Sequence, residues 1–156
     1  MPMPCIRGNH NGRAARIPVA IVDAARYKRH KEAAAPVLAG VKPYVALIDT
    51  GATSTMISGK VVSELSLQPV TAIPYMSLDG LVYRKACLFH VALYESLTVE
   101  NLQRYGSEPY KIHICRKEII GGILNDGTSF DVLLGMDIIS TWELHFYSDG
   151  HFELTF

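Results

Sequence analysis

The residues of this chain that are best suited to chemistry are Asp49, Thr50 and Gly51, which directly follow the apolar run Tyr44–Ile48. A buried strand that ends in an Asp-Thr-Gly turn presents one carboxylate on a rigid base, beside a hydroxyl and a residue without a side chain. This arrangement suggests a pair of carboxylates that share one proton and act on a water molecule. A single carboxylate cannot perform that reaction, so the turn predicts half of a site.

The sequence holds no second Asp-Thr-Gly or Asp-Ser-Gly that could supply the other carboxylate. Its remaining Asp-Gly pairs, at 79–80, 126–127 and 149–150, lack the intervening hydroxyl residue. If the site is real, two chains must meet to build it. A symmetric homodimer would then place the two Asp49 side chains on either side of its two-fold axis.

A second motif lies near the end of the chain. Residues 133–139 read Leu-Leu-Gly-Met-Asp-Ile-Ile, which is a pair of apolar residues, a glycine, any residue, and an aspartate before more apolar residues. With the loop at 45–57, and in this order, the motif resembles the retropepsin-like aspartic proteases, the single-lobed relatives of pepsin. The resemblance covers residues 17–156 and implies an all-β fold, a closed or nearly closed β-barrel with one or two short helices.

The resemblance implies a role for each residue of the loop. Asp49 of each chain would be catalytic, and Thr50 would bond across the dimer to the partner loop. Gly51 would let substrate and water approach while its N–H binds a carboxylate oxygen, and the small Ala52 would keep the floor of the groove open. The implied function is an aspartic endopeptidase that cleaves extended peptides, and it should favour acidic pH because the pair must keep one proton.

A predicted β-hairpin around the Asp-Gly pair at 79–80 occupies the place of the flap, the hairpin that closes over a bound peptide in this family. Apolar residues flank this pair, and Asp-Gly favours the primed turns that match the twist of paired strands. The predicted substrate-binding residues of the hairpin are Leu78, Asp79, Gly80 and Leu81, with Tyr75 or Tyr83 as further contacts. Viral flaps are glycine-rich, whereas Gly80 stands alone here, which leaves the length and mobility of this hairpin open.

Short apolar segments separated by turn residues predict strands through most of the chain. They lie at 17–22, 44–48, 75–78, 81–83, 87–93, 110–115, 119–124, 130–134, 144–147 and 151–156, and a turn at 148–150 joins the last two into a hairpin. Short helices are predicted at 60–65, capped by Ser58, and at 136–142. Gly135 would let the second motif pack under the Asp49 turn, and Asp137 would have a structural place at the start of the second helix. The last strand ends without a cap, so we expect its edge to pair between two subunits.

Composition bounds the class of protein. The chain has 156 residues, 49% of them hydrophobic and 19% charged, with a formal net charge of zero, as expected of one globular domain. We assign residues 17–156 to that domain and residues 1–16, which mix Pro, Gly, Asn and Arg, to a flexible arm. A basic run continues to Lys31, but such runs are more often solvated, and nucleic acid is not expected as a partner. The three cysteines are widely spaced and no stretch has membrane-spanning length, which predicts reduced thiols in a cytoplasmic protein with no membrane contact.

Other interpretations stay open from the residues alone. An Asp-Thr-Gly after a strand can be a simple turn, since Asp and Gly are turn residues. A chain can also keep this fold without activity, as a catalytically silent dimeric module that binds peptides or assembles. The scattered histidines could suggest a metal, but neither Cys-x-x-Cys nor His-Glu-x-x-His occurs. No metal and no cofactor are predicted.

Overall fold

The computed structural model describes residues 3–32, 41–104 and 110–156. These residues form eleven strands, with three helices and one 3-10 turn between them. The strands are β1 Cys5–Asn9, β2 Ala15–Val22, β3 Tyr44–Ile48, β4 Met56–Ser58, β5 Thr71–Ser77, β6 Gly80–Tyr94, β7 Ile112–Ile114, β8 Ile119–Leu124, β9 Val132–Leu134, β10 Glu143–Phe146 and β11 His151–Thr155. The helices are α1 Ala24–Glu32, α2 Gly59–Glu64 and α3 Met136–Ile139, and the 3-10 turn is Leu102–Arg104.

The larger sheet returns on itself. Its strand order is β2-β3-β9-β4-β8-β6-β5, and β2 also pairs with β6, so that the six strands from β2 to β6 in this order form a ring. Strand β5 extends beyond the ring as one arm of a hairpin, and β7 pairs with β6. The prediction of an all-β fold with short helices is confirmed.

Strand β2 shows how the ring is filled. Ile17, Val19 and Ile21 belong to one buried cluster with residues of β3, β9 and β11. Ala20 and Val22, the alternate residues, belong to a second cluster with residues of β6 and a side chain of α1. Because both faces of the strand are covered, its sequence is an almost continuous apolar run.

Pro18 lies in the part of β2 that pairs with β3 and not with β6. Opposite Val45 of β3 it has a register partner, whereas pairing with β6 begins one residue later, at Val19. A residue without an N–H is tolerated where a strand has a single neighbour. Residues 15–18 of β2 pair with β3 and residues 20–22 pair with β6, so Pro18 lies in the half of the strand that has β3 as its paired neighbour.

A second, three-stranded sheet corrects two expectations. Its order is β1-β11-β10, so the last strand is paired on both sides and is not the free edge that we expected to join two subunits. The flexible arm expected over residues 1–16 is also wrong, because it holds β1 and the start of β2. Ile6 of β1 is buried, and Gly8 lies against the Phe152 ring, where a Cβ would be 2.6 Å from the ring carbons. Burial and close packing against β11 order this stretch in spite of its polar composition.

Most local predictions agree with the structure, with shifted ends. Helix α2 begins after Ser58, whose hydroxyl accepts a hydrogen bond from the Val61 N–H, as the capping prediction requires. The strands predicted at 81–83 and 87–93 are one strand, β6, of fifteen residues. The prediction for 110–115 narrows to β7, and residues 105–109 lie outside the described residues. Within the described ranges no helix is long and apolar enough to cross a bilayer.

Candidate active site

Three neighbouring strands form the base of the candidate site. Strand β9 lies between β3, to which it is parallel, and β4, to which it is antiparallel. The chain therefore leaves β3 at Ile48, crosses the end of β9, and returns on the far side as β4. The crossing segment, residues 49–55, is called the Asp49 loop below. Its first residue is tied to the middle strand, because the Asp49 N–H donates to the Leu134 carbonyl at 3.0 Å.

The turn at the start of the Asp49 loop holds the carboxylate. The Gly51 N–H donates to Asp49 Oδ1 at 2.9 Å, and the Ala52 N–H donates to the Asp49 carbonyl at 3.1 Å. Asp49 and Ala52 are half-buried, whereas Thr50 and Gly51 are exposed. A Cβ at position 51 would lie 3.2 Å from Oδ1, so glycine leaves the carboxylate accessible from this side. The four residues predicted from the sequence thus lie in a single turn.

A polar contact that the sequence analysis did not predict closes the Asp49 loop. Thr55 is completely buried, and its hydroxyl donates to Asp137 Oδ1 at 2.6 Å and accepts from the Gly135 N–H at 3.1 Å. The Thr55 N–H also donates to the Asp137 carboxylate, at 2.9 and 3.0 Å to the two oxygens. Asp137 is structural, as expected, but its carboxylate holds Thr55. The only sequence signal for Thr55 was a hydroxyl residue beside the apolar pair at 56–57.

The second motif packs directly beneath the Asp49 loop. A Cβ on Gly135 would lie 2.5 to 2.8 Å from the backbone atoms of Ser54, a distance that no side chain can occupy. The next two N–H groups, of Met136 and Asp137, donate to the carbonyls of Ala52 and Thr53 at 2.8 and 3.1 Å. The free N–H groups at the start of α3 are thereby used to fix the loop.

A charged cluster anchors the start of β3, the end of the strand that is opposite to Asp49. The buried Tyr44 hydroxyl donates to Glu64 Oε2 at 2.8 Å, and Lys42 Nζ lies 2.6 Å from the same oxygen. Burial, reinforced by the neighbouring Glu64 carboxylate, raises the pKa of the Tyr44 phenol well above its usual range. The hydrogen bonds from Lys42 and Tyr44 lower the pKa of the Glu64 carboxyl. Both ends of the strand that carries Asp49 are therefore fixed.

The predicted flap is a hairpin, formed by β5 and the first half of β6, but its turn differs from the prediction. Ser77 pairs with Gly80, so the central residues of the turn are Leu78 and Asp79. A primed turn would need positive φ at central residues, and in the described chain neither of these has it, while Gly80 has φ 114°. The Ser77 hydroxyl completes the turn by donating to the Gly80 carbonyl at 2.9 Å.

The hairpin exposes an unusual number of apolar side chains. Leu78 at its tip is fully exposed, and Leu81 keeps more than half of its surface in water. Met76 lies opposite Leu81 in the register and is also exposed. Tyr83 extends this exposed set, but Tyr75 does not. The Tyr75 ring faces the body of the protein against Gly122, and burial raises its pKa, so it anchors the hairpin.

The structure thus brings Asp49, Thr50, Gly51 and Ala52 together and places Leu78, Asp79, Gly80 and Leu81 on a separate exposed tip. One chain supplies one Asp49 loop and therefore one carboxylate of the predicted pair. In the described ranges no three His, Cys, Asp or Glu side chains are grouped so as to hold a metal ion.

Comparison with known proteins agrees with these motifs. A sequence model of the family described as aspartyl protease matches residues 35–138, two thirds of the chain. The match spans the Asp49 loop, the hairpin and the second motif up to Ile138. A retropepsin-like aspartic protease from Rickettsia conorii is a structural relative with 13% sequence identity and a TM-score of 0.47, and the alignment covers 100% of this chain and 96% of that one. No curated protein sequence gives a significant match.

Proposed function

The chain belongs to the aspartyl protease family, and we propose that it is an aspartic endopeptidase whose catalytic pair forms when two copies bring their Asp49 side chains together. The observation that carries the proposal is the placement of Asp49, half-buried on a turn that is hydrogen-bonded to β9 and braced from below by α3. A catalytic carboxylate needs such a fixed position, because small displacements from the reacting atoms cost large factors in rate.

Within the pair, the two carboxylates divide the work. Two carboxylates in hydrogen-bonding range cannot both ionise at low cost, so one keeps a proton and they titrate as a pair. The ionised member takes a proton from a bound water, which attacks the amide carbonyl of the substrate. The protonated member donates to the developing oxyanion, and a later proton transfer to the leaving nitrogen completes the cleavage. The Gly51 N–H, which already binds Asp49 Oδ1, keeps one oxygen oriented throughout.

The surroundings of Asp49 favour an approach by a second chain. Thr50 and Gly51 are exposed beside the carboxylate, and Met136 of the adjoining α3 exposes 40% of its surface. In the proposed dimer the Thr50 hydroxyl bonds to the partner loop and sets the separation of the two acids. Because β11 is paired on both sides, its edges are not available to join two subunits, and the proposed dimer is built around these loops.

The substrate proposed for the site is an extended peptide with apolar side chains. The hairpin offers Leu78 and Leu81 as exposed apolar contacts, and Ala52 leaves room on the floor beside Asp49. A peptide held between them would be bound largely through main-chain hydrogen bonds, with alternate side chains in pockets. Asp79 and Gly80 contribute backbone groups and the turn itself.

The direct test replaces Asp49 by asparagine, which preserves shape and removes the acid. We expect Asp49→Asn to reduce the cleavage of an apolar peptide library by roughly a hundred- to ten-thousandfold, with unchanged folding and association. Asp126→Asn is the control, because Asp126 is an exposed aspartate that belongs neither to the Asp49 loop nor to the hairpin, and it should keep full activity. Cleavage that survives in Asp49→Asn would refute the proposed chemistry.

A mixing experiment tests whether the site is shared. If each site needs two Asp49 carboxylates, an excess of the Asp49→Asn chain should inhibit the native chain by forming mixed pairs. Activity that stays proportional to the native chain alone would rule out a shared site. A protein that dimerises and binds peptides without cleaving them, under acidic as well as neutral conditions, would instead be the catalytically silent module.

A further inference from the structure

A cavity of about 430 Å³ lies between β7 and the turn after it, the segment after α3, and the last residue, Phe156. Its apolar wall is formed by Ile114, Cys115, Trp142 and Phe156. A cavity of this size is large enough for a small organic ligand. The walls already hold each other in place, since the ring of Phe156 meets the ring of His113 edge-on at 5.2 Å.

Two cationic side chains, Arg116 and Lys117, complete the lining. In the part of the chain that the structure describes, no carboxylate lies within ion-pair distance of either one. The Lys117 ammonium donates to the Asp137 carbonyl, which fixes its position without neutralising its charge. Two neighbouring acids face other groups, since Glu95 lies 2.9 Å from His113 and Glu118 lies 3.9 Å from His90.

We propose that this cavity binds a small apolar carboxylate, with the hydrocarbon part against Trp142 and Phe156 and the carboxylate at Arg116 and Lys117. The apolar wall supplies affinity by removing hydrocarbon surface from water, and the cations discriminate in favour of an anion. A fatty acid and the free carboxyl end of a peptide with an apolar last residue share this chemistry. The site goes beyond the proposed protease function, because none of its lining belongs to the Asp49 turn.

The test uses the one tryptophan of the chain, Trp142, as the reporter. Octanoate titrated into the full chain should shift the Trp142 emission to shorter wavelengths in a saturable way. Octanol should bind more weakly because it lacks the charge, and butyrate more weakly because it lacks the hydrocarbon. N-acetyl-phenylalanine represents the peptide end, and a stronger effect from it than from octanoate would identify that source.

Charge variants at Arg116 decide whether the cations recognise the ligand. Arg116 is exposed and makes no ion pair within the described ranges, so Arg116→Ala should weaken octanoate binding about three- to fivefold and Arg116→Glu roughly tenfold. Arg116→Lys should restore most of the affinity. Lys85→Glu, a matched reversal on the exposed hairpin, should leave binding unchanged.

The outcomes that overturn the proposal are distinct. Equal binding of octanol and octanoate would show that the cavity does not select an anion. An emission shift that follows protein concentration and not ligand would show that a second copy covers the cavity. Running the titration in Asp49→Asn separates the two proposals, because the binding should persist there whether or not the chain is a protease.

Discussion

The Asp49 loop and the β5–β6 hairpin are the two regions that each chain contributes to the proposed site, and they are built in opposite ways. The loop is held by backbone hydrogen bonds to β9 and α3 and by the buried hydroxyl of Thr55, its last residue, which donates to Asp137. The hairpin carries Met76, Leu78 and Leu81 into water, and its tip is stabilised by little more than its own turn. Contacts within a single chain fully support the loop, whereas the hairpin exposes apolar side chains whose exposure does not stabilise a monomer.

This difference indicates that contacts within one chain stabilise the loop, whereas a bound molecule would stabilise the hairpin. Exposed apolar clusters on a globular domain mark surfaces that bind a ligand or a partner. If the bound substrate completes the site, the site needs a rigid loop and a hairpin whose apolar side chains become buried only when the substrate binds. The comparison makes a general prediction, that substitutions in the loop and its support reduce folding stability, whereas substitutions in the hairpin reduce binding and leave folding intact.

The largest effect on stability is expected from Gly135→Ala. The backbone of Gly135 is extended, with φ −100° and ψ −179°, so any residue could adopt it. The obstacle is steric, because the added Cβ would lie 2.5 Å from a backbone carbon of Ser54, which is itself tied to the loop. We expect a loss of about 3 kcal/mol or more in the free energy of unfolding, measured by denaturant titration.

Gly59→Ala is the control for that substitution. A Cβ at position 59, the first residue of α2, would meet its nearest neighbour at 3.7 Å, an ordinary contact. Alanine is the better helix former, so this variant should be neutral or slightly more stable. If Gly135→Ala unfolds at the same denaturant concentration as Gly59→Ala, the close approach of α3 to the loop is not required.

Thr55→Val should have the second largest effect. Valine keeps the shape of threonine but leaves the buried Gly135 N–H without its acceptor and removes one of the hydrogen bonds to Asp137. The expected loss is about 1 to 3 kcal/mol, with a parallel fall in activity because the loop above is loosened. Thr71→Val, at an exposed position in β5, should change neither quantity. Unchanged stability in Thr55→Val would show that the loop is held by its backbone contacts alone.

Local signals predicted much of this molecule. The apolar run at 44–48, the Ser58 cap and the hairpin around Gly80 depend on residues close in sequence, and each is present in the structure. The turn at Gly80 was assigned to the wrong type because Asp-Gly fits two hairpin geometries. In the observed geometry, the glycine follows the two central residues of the turn, and the register of β5 and β6 sets this position.

The remainder depends on pairs that are distant in sequence. Thr55 and Asp137 are 82 residues apart, and neither residue shows in the sequence that it has a partner. Strand β1 is stabilised by β11, at the other end of the chain, and Gly8 is needed only because the Phe152 ring lies on it. The error about the flexible arm therefore has a physical cause. Composition predicts order from the number of apolar residues, and residues 1–16 hold few. The burial of Ile6 and the pairing of β1 with β11 nevertheless order this stretch.

A smaller, pH-dependent effect on folding stability is expected from the charged cluster at the start of β3. Hydrogen bonds from Lys42 and Tyr44 lower the pKa of the Glu64 carboxyl in the folded chain. The unfolded chain therefore binds a proton at Glu64 at a higher pH than the folded chain does. The stability that the Glu64 carboxylate contributes is present above the ordinary glutamate pKa and is lost as pH falls through the lowered pKa. In Tyr44→Phe the pKa should rise toward normal, and the loss of stability in acid should become shallower. Denaturant titrations between neutral and acidic pH would measure this, with Tyr27→Phe as control, and parallel acid profiles for both variants would contradict it.

The smallest effect on stability, and the sharpest test of the comparison, is expected from Leu78→Ser at the tip of the hairpin. Because this side chain is fully exposed, its removal should change the free energy of unfolding by less than about 0.5 kcal/mol. If the hairpin covers an apolar substrate, the same change should raise the KM for peptide cleavage by about tenfold, since the apolar contact would form only on binding. Val70→Ser, an exposed apolar residue just before β5, should alter neither stability nor KM. A Leu78→Ser chain with unchanged KM would mean that the exposed tip serves some other surface, and the two regions would no longer belong to one site.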